Sequence, residues 1–182
     1  VQDEHHRPLK TYLHSLGTKQ ADDKLVHNEK DTGRFTSVET TASERFAAIS
    51  IHDHKTSEVL LIDLAKPKSK PRMVVPRTAQ IDYDVQDWQE TLIIRTNAGG
   101  AEDYKLVQAP LANPALENWK DLILHRLGIF LVAFGVFQNY LVRLERENAL
   151  PRIVIRDMRN GAEHSIAFDE EAYSLGFGEM RE

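Results

Sequence analysis

The chain has 182 residues, 41% hydrophobic and 28% charged, with a formal net charge of −5 and no cysteine. That excludes disulfide and thiolate chemistry, argues against a nucleic-acid partner that needs a basic stripe, and describes one or two ordinary globular domains. The longest apolar run, Leu127 to Phe137, contains two glycines and is too short to span a bilayer, and the first fifteen residues hold no apolar signal segment.

In chain order, an apolar strand core first appears as Leu13-His14-Ser15-Leu16. It recurs as Leu60-Leu61-Ile62-Asp63, as Leu106-Val107-Gln108-Ala109 and as Val154-Ile155-Arg156-Asp157, at offsets of 47, 46 and 48 residues. A period in the forties filled by four short strands is the signature of propeller blades. The expected fold is therefore all-β, a partial β-propeller of four-stranded antiparallel blades. About three whole blades are expected, with partial blades at both ends.

The partial blade spans 6–30, its strands falling in Leu9 to Leu16 and Leu25 to Glu29. The first whole blade, 34–77, reads Arg34 to Thr41, Phe46 to Ile51 and Glu58 to Leu64. A turn carrying Pro67 and Pro71, which cannot donate to a ladder, then leads to Arg72 to Val75. The second blade, 81–126, reads Ile81 to Val85, Thr91 to Thr96, Tyr104 to Val107 and Trp119 to Leu124. Asn97-Ala98-Gly99-Gly100 supplies a reversal tolerant of positive φ. The third, 129–170, reads Ile129 to Phe134, Tyr140 to Leu144, Arg152 to Arg156 and His164 to Phe168, with Arg159-Asn160-Gly161 as a hairpin turn. The first strand of a further blade is expected at 172–180. A buried helix pair over 119–137 is the competing reading. Gly128, Gly135 and the β-branched and aromatic residues there favour strands.

Chemistry-bearing residues are sparse. His52-Asp53-His54 offers metal-ligand types, but alternation along a strand lets at most the two histidines face together, and no third ligand is indicated. It reads as a polar turn, and His5-His6 as terminal residues. None of the eight serines sits in Gly-x-Ser-x-Gly; Ser174 has glycines only after it, at Gly176 and Gly178. The carboxylate pairs Glu145/Glu147 and Glu170-Glu171 are candidates for acid–base work and read as solvated loop charges. Arg143, Arg146, Arg152 and Arg156, interrupted by Glu145, Glu147 and Asp157, read as an ion-paired blade surface. No catalytic, cofactor-binding or metal-binding residue is assigned.

A set of local motifs carries a resemblance. His6-Arg7-Pro8, Leu16-Gly17-Thr18, Leu25-Val26, His54 to Val59, Tyr83-Asp84-Val85, Thr96-Asn97, Asn118-Trp119 with His125-Arg126, Leu141 to Glu147, Leu150-Pro151-Arg152 and Ala167 to Glu170 run collinearly through the chain. In these the sequence resembles the oligopeptidase B (protease II) group of the prolyl oligopeptidase family of serine peptidases. The resemblance covers nearly the whole chain but only the middle of the propeller. It implies a parent with a seven-bladed propeller joined to an α/β-hydrolase domain. That domain would carry the Ser-Asp-His triad and hydrolyse short peptides after Lys or Arg in the cytoplasm.

The resemblance further implies a substrate-gating piece that is inactive alone, without cofactor or metal. Its partners would be the catalytic domain of the same parent chain and, for the parent, short basic peptides, with no nucleic acid and no membrane. A stand-alone propeller module for protein or peptide binding is the alternative, and a propeller enzyme acting through central carboxylates is a third reading. The incomplete repeats at both ends leave apolar faces and strand edges open, so self-association to a homodimer or larger assembly is expected.

Overall fold

The computed structural model describes residues 1–4, 6–78, 80–169 and 173–178, and it is all-β apart from two single-turn 3₁₀ segments. The chain divides into two units, 1–82 and 83–182.

In the first unit, β1 (Lys10–Leu13) and β2 (Lys24–Asn28) pair as an antiparallel hairpin. Then β3 (Phe35–Thr40), β4 (Phe46–His52), β5 (Ser57–Asp63) and β6 (Arg72–Met73) form a four-stranded sheet in chain order. Their antiparallel register pairs Val38 with Ile49 and Ile49 with Leu60. Ile49, Ile51, Leu60 and Ile62 make the core, and Val26 of the hairpin and Ala47 pack against it. Pairing β-branched and leucine side chains across neighbouring strands is what fixes this register, since a one-residue slip would turn them all to the opposite face.

In the second unit, β7 (Tyr83–Trp88), β8 (Thr91–Thr96), β9 (Lys105–Pro110) and β10 (Lys120–Ile123) form one sheet. The next sheet comprises β11 (Ile129–Val136), β12 (Tyr140–Glu147), β13 (Leu150–Asp157) and β14 (Glu163–Ser165). Ile93 and Leu106 of the former pack against Leu131, Phe134, Val136 and Leu141 of the latter. Polar contacts follow the same seam: the Trp88 indole N–H donates to the Gln138 carbonyl at 3.1 Å, and Arg95 Nη1 to the Leu131 carbonyl at 3.2 Å. Residues 120–123 and 129–136 are strands, so the helical reading of 119–137 fails.

Three sequence expectations need correction. The aligned core Leu13 to Leu16 is a strand only to Leu13; Thr18 N–H bonds the Ser15 carbonyl at 3.1 Å, and Gly17 at φ 85° completes a turn there. The second and third strands of the last sheet are longer than expected. They run to Glu147 and restart at Leu150, because Asn148 and Ala149, at φ 50° and 66°, close a two-residue hairpin turn whose twist matches the strands it joins. The strand expected at 172–180 is not formed over residues 173–178; Ala172 and residues 179 and 180 lie outside the described residues. Tyr173 instead stacks on Phe168 with ring centroids 4.5 Å apart.

Candidate functional site

The largest concentration of interacting charge lies on β12 and the strands beside it. Arg143 and Glu145 are two residues apart and so project from one face of the strand, where both are fully buried, at 1% and 0% exposure. Cross-strand register places Arg152 opposite Glu145 and Glu163 opposite Arg156. Glu145 Oε1 accepts from Arg143 Nε at 2.9 Å and from Arg126 Nη2, and its Oε2 accepts from Arg152 Nε and Nη2 at 3.0 and 2.9 Å. Arg143 turns its other two nitrogens to Glu163 in a bidentate pair at 3.0 and 2.9 Å, and Glu163 also accepts from Arg156. Arg152 reaches on to Glu147 at 2.7 Å.

Electrostatics decide what this lattice can do. Burial pushes the Glu145 carboxyl up, but the hydrogen bonds and charges of Arg143, Arg152 and Arg126 outweigh it and hold the group below the ordinary glutamate range. Hydrogen bonding from Arg143 brings Glu163 down to about 2, against the opposing effect of burial. Both carboxylates are therefore ionised at neutral pH, with both oxygens engaged. A general acid needs a proton to give and a nucleophile needs a free lone pair; neither group has the proton, and Glu145, accepting four hydrogen bonds, has no lone pair free. The expected ion-paired arginines are present, but Glu145 and Arg143 are not at the surface: the buried face of β12 carries them because each neutralises the other. Alternation along Leu141, Arg143 and Glu145, shared across the ladder with buried Val154, was the signal that could have shown it.

A second cluster occurs in the first unit. Arg77 Nη2 donates to Glu29 Oε2 at 2.5 Å, while its backbone N–H and Nε donate to Glu58 Oε2 at 2.8 and 3.3 Å. Glu29 closes the β1–β2 hairpin, and Glu58 lies near the start of β5, so one guanidinium ties the hairpin to the sheet. Burial raises the Glu29 carboxyl, yet the Arg77 hydrogen bond and the N–H groups of Asp31 and Lys30 bring it below its ordinary value.

Of the His52-Asp53-His54 triplet, His52 is the last residue of β4 and Asp53 and His54 begin the turn to β5. Asp53 Oδ1 accepts from the Lys55 and Thr56 N–H groups at 2.7 and 2.8 Å, and Oδ2 from the Thr56 hydroxyl at 3.0 Å. The Lys55 amide bond leads the causes that hold Asp53 down to about 2, with Arg34 adding a charge at 3.0 Å. The His52 ring lies against Phe35, centroids 6.1 Å apart. Among the described residues no group of three or more His, Cys, Asp or Glu is arranged to hold a metal ion. His5, Glu170 and Glu171 lie outside the described residues. A cleft of about 310 Å³ lined by Glu90, Thr91, Gln108, Ala109, Pro110, Asn118 and Lys120 contains neither serine nor histidine.

Residues 1–179 match the family described as the prolyl oligopeptidase N-terminal beta-propeller domain. The chain is 32% identical over 165 residues to dipeptidyl aminopeptidase BI of Pseudoxanthomonas mexicana, covering 90% of this chain and 22% of that protein. It is 30% identical to protease 2 of Moraxella lacunata, covering 95% and 24%. Among solved structures it is similar to oligopeptidase B from Leishmania major, with a TM-score of 0.86 and 29% identity over 94% of this chain and 25% of the other. The chain thus spans a quarter or less of the length of these relatives.

Proposed function

From the premise that this chain belongs to the family of the prolyl oligopeptidase N-terminal β-propeller domain, we propose that it is the substrate-gating portion of a serine oligopeptidase that hydrolyses short peptides after Lys or Arg. The observation that carries the reading is the condition of its buried charges. Glu29, Glu145 and Glu163 are all tied to arginines and kept ionised. Groups so engaged tie neighbouring strands together and hold no proton to give at neutral pH. Blades so tied are suited to walling a cavity, which restricts what reaches a catalytic centre and leaves the chemical step to an α/β-hydrolase domain of the same parent. The similarity to protease 2 and oligopeptidase B supports the choice of short basic peptides as the parent's substrates and the cytoplasm as its place of action.

Two measurements test this. The chain alone is expected not to cleave a Lys- or Arg-terminated chromogenic peptide and not to be labelled by a fluorophosphonate at any of its eight serines; stoichiometric labelling would reveal a site of its own. A full-length parent carrying this segment is expected to cleave dibasic dipeptide amides while leaving folded protein substrates intact. Rapid cleavage of a folded protein would sink the gating role.

We also propose that the chain as it stands self-associates. Tyr140, Leu150, Ile166 and Phe168, in the last sheet or just after it, are each between 36% and 41% exposed, and among the described residues β14 pairs with β13 alone. Exposed apolar side chains beside an open strand edge recruit another chain. Light scattering coupled to size exclusion is expected to give a dimer or larger species at micromolar concentration, and a clean monomer overturns the proposal.

A further inference from the structure

The acidic net charge hides one concentrated basic feature, at the end of the first sheet away from Arg77. Between β5 and β6 the chain reads Lys66-Pro67-Lys68-Ser69-Lys70-Pro71, and residues 64–70 are all exposed. Two backbone hydrogen bonds and two prolines shape the loop. Lys66 N–H bonds the Asp63 carbonyl and Ser69 N–H the Lys66 carbonyl, both at 2.9 Å, while Pro67 and Pro71 each fix one backbone torsion. Across from it Lys24, the first residue of β2, extends its Nζ to the Lys68 carbonyl at 3.2 Å, which places a fourth ammonium at this loop. Arg72 follows at the start of β6.

Such crowding of like charge costs energy unless carboxylates pair with it, and the two nearest in sequence make other bonds. The Asp63 carboxylate is engaged by the Ala65 N–H at 2.9 Å, and Asp23 by His14 at 2.6 Å. None of Lys24, Lys66, Lys68 and Lys70 is ion-paired with a carboxylate among the described residues. A ridge of unpaired ammonium groups on an acidic chain is a surface awaiting a counter-charge.

We propose that the Lys66–Lys70 ridge, with Lys24 beside it, is a docking surface for an acidic segment of a partner protein. Size selects this occupant over the other polyanions. At physiological ionic strength charges are screened over about 8 Å. A short acidic peptide lying on the ridge therefore senses the lysines and little else. A nucleic-acid duplex or a lipid surface carries charge well beyond the ridge, and the remainder of the chain, which is more acidic than the net −5, repels it. No aromatic side chain lies within the ridge from residue 64 to residue 72 to stack an unpaired base. Lysines, as mobile hydrated point charges, suit carboxylates presented without fixed geometry. The surface stands apart from the gating role and would survive its failure.

Fluorescence anisotropy of a labelled peptide of about ten residues, alternating Glu and Ser, tests the proposal on this chain. The double variant Lys66→Glu/Lys68→Glu is expected to bind roughly tenfold more weakly, given the modest strength of single exposed pairs. The charge-matched variant Lys30→Glu/Lys55→Glu alters exposed lysines at the other end of the same sheet and is expected to bind like the parent sequence. Equal loss in both variants, no binding by the parent sequence, or tighter binding to duplex DNA or to phosphatidylglycerol vesicles overturns it.

Discussion

Glu145→Ala lowers the unfolding free energy by about 3–5 kcal/mol, the usual cost of removing one partner from a buried ion cluster. The magnitude follows from what is left behind. Arg143 is 1% exposed and keeps only Glu163, while Arg126 and Arg152 lose the carboxylate to which both point. A cavity of about one carboxymethyl group adds to the loss. The effect separates charge from packing when paired with a second variant. Arg143→Met/Glu145→Leu removes both charges and fills the space, so it is expected to recover most of the stability lost by the single variant, because an apolar pair of similar volume is often as stable as the ion pair it replaces. Urea unfolding followed by tryptophan fluorescence measures both. A single variant within about 1 kcal/mol of the parent sequence would show that water reaches Arg143 and that the cluster is not sealed.

Arg77→Leu has the second largest effect, and its pH dependence is the diagnostic part. With the guanidinium gone, Glu29 and Glu58, with side chains 5% and 8% exposed, face each other without a counter-charge. Because Arg77 is itself a third exposed, solvent screens part of the loss, and about 2–3 kcal/mol at pH 7.5 is expected. In the parent sequence the Glu29 carboxyl lies below its unfolded value, so its contribution is present above the ordinary glutamate range and fades as pH falls through the depressed folded value. Removing the guanidinium leaves burial, the largest influence on Glu29, opposed by backbone N–H groups and by the His27 ring, whose Nε2 lies 3.8 Å from Glu29 Oε2, and leaves the repulsion from Glu58 unanswered by Arg77. The carboxyl then rises above its unfolded value, the folded variant binds the proton more tightly, and its stability increases from pH 7.5 to pH 5. Between these two pH values the urea midpoint is expected to rise for the variant, while the Glu29 contribution to the parent sequence stays constant because both values lie above the ordinary glutamate range. A variant midpoint that does not rise would show that Arg77 does not hold Glu29 ionised.

The repeat was legible because it is written in apolar residues. Leu60, Leu106 and Val154, read as equivalent from spacing alone, fall in β5, β9 and β13, the third strand of each four-stranded sheet. Leu13 sits in a strand, but Leu16 does not, because a glycine at positive φ bends the chain where the alignment would continue it. Charged residues were read less well. A lone Glu or Arg carries no sign of whether its strand face is covered, and Arg77 finds Glu29 only after the chain has travelled 48 residues. Glu145 became a buried residue through three arginines drawn from three places, Arg126, Arg143 and Arg152. Pairing of that kind is a property of register, which spacing of apolar residues sets only indirectly. The turn at Asp53 was legible because Asp before a short polar stretch caps its own backbone.

In each four-stranded sheet the strands lie side by side in the order in which they occur along the chain. Every hairpin therefore closes a short loop, and no sheet must wait for a distant segment before its ladders can form. Closing short loops costs little entropy, which places such meanders at the faster end of β-protein folding. On a ribosome the same order means that a sheet can be finished as soon as its last strand clears the exit tunnel, while the next is still being made. Within the second unit, the completed β7–β10 sheet then offers Ile93 and Leu106 as a formed apolar face for the β11–β14 sheet to fold against, so that unit assembles from its beginning towards its end.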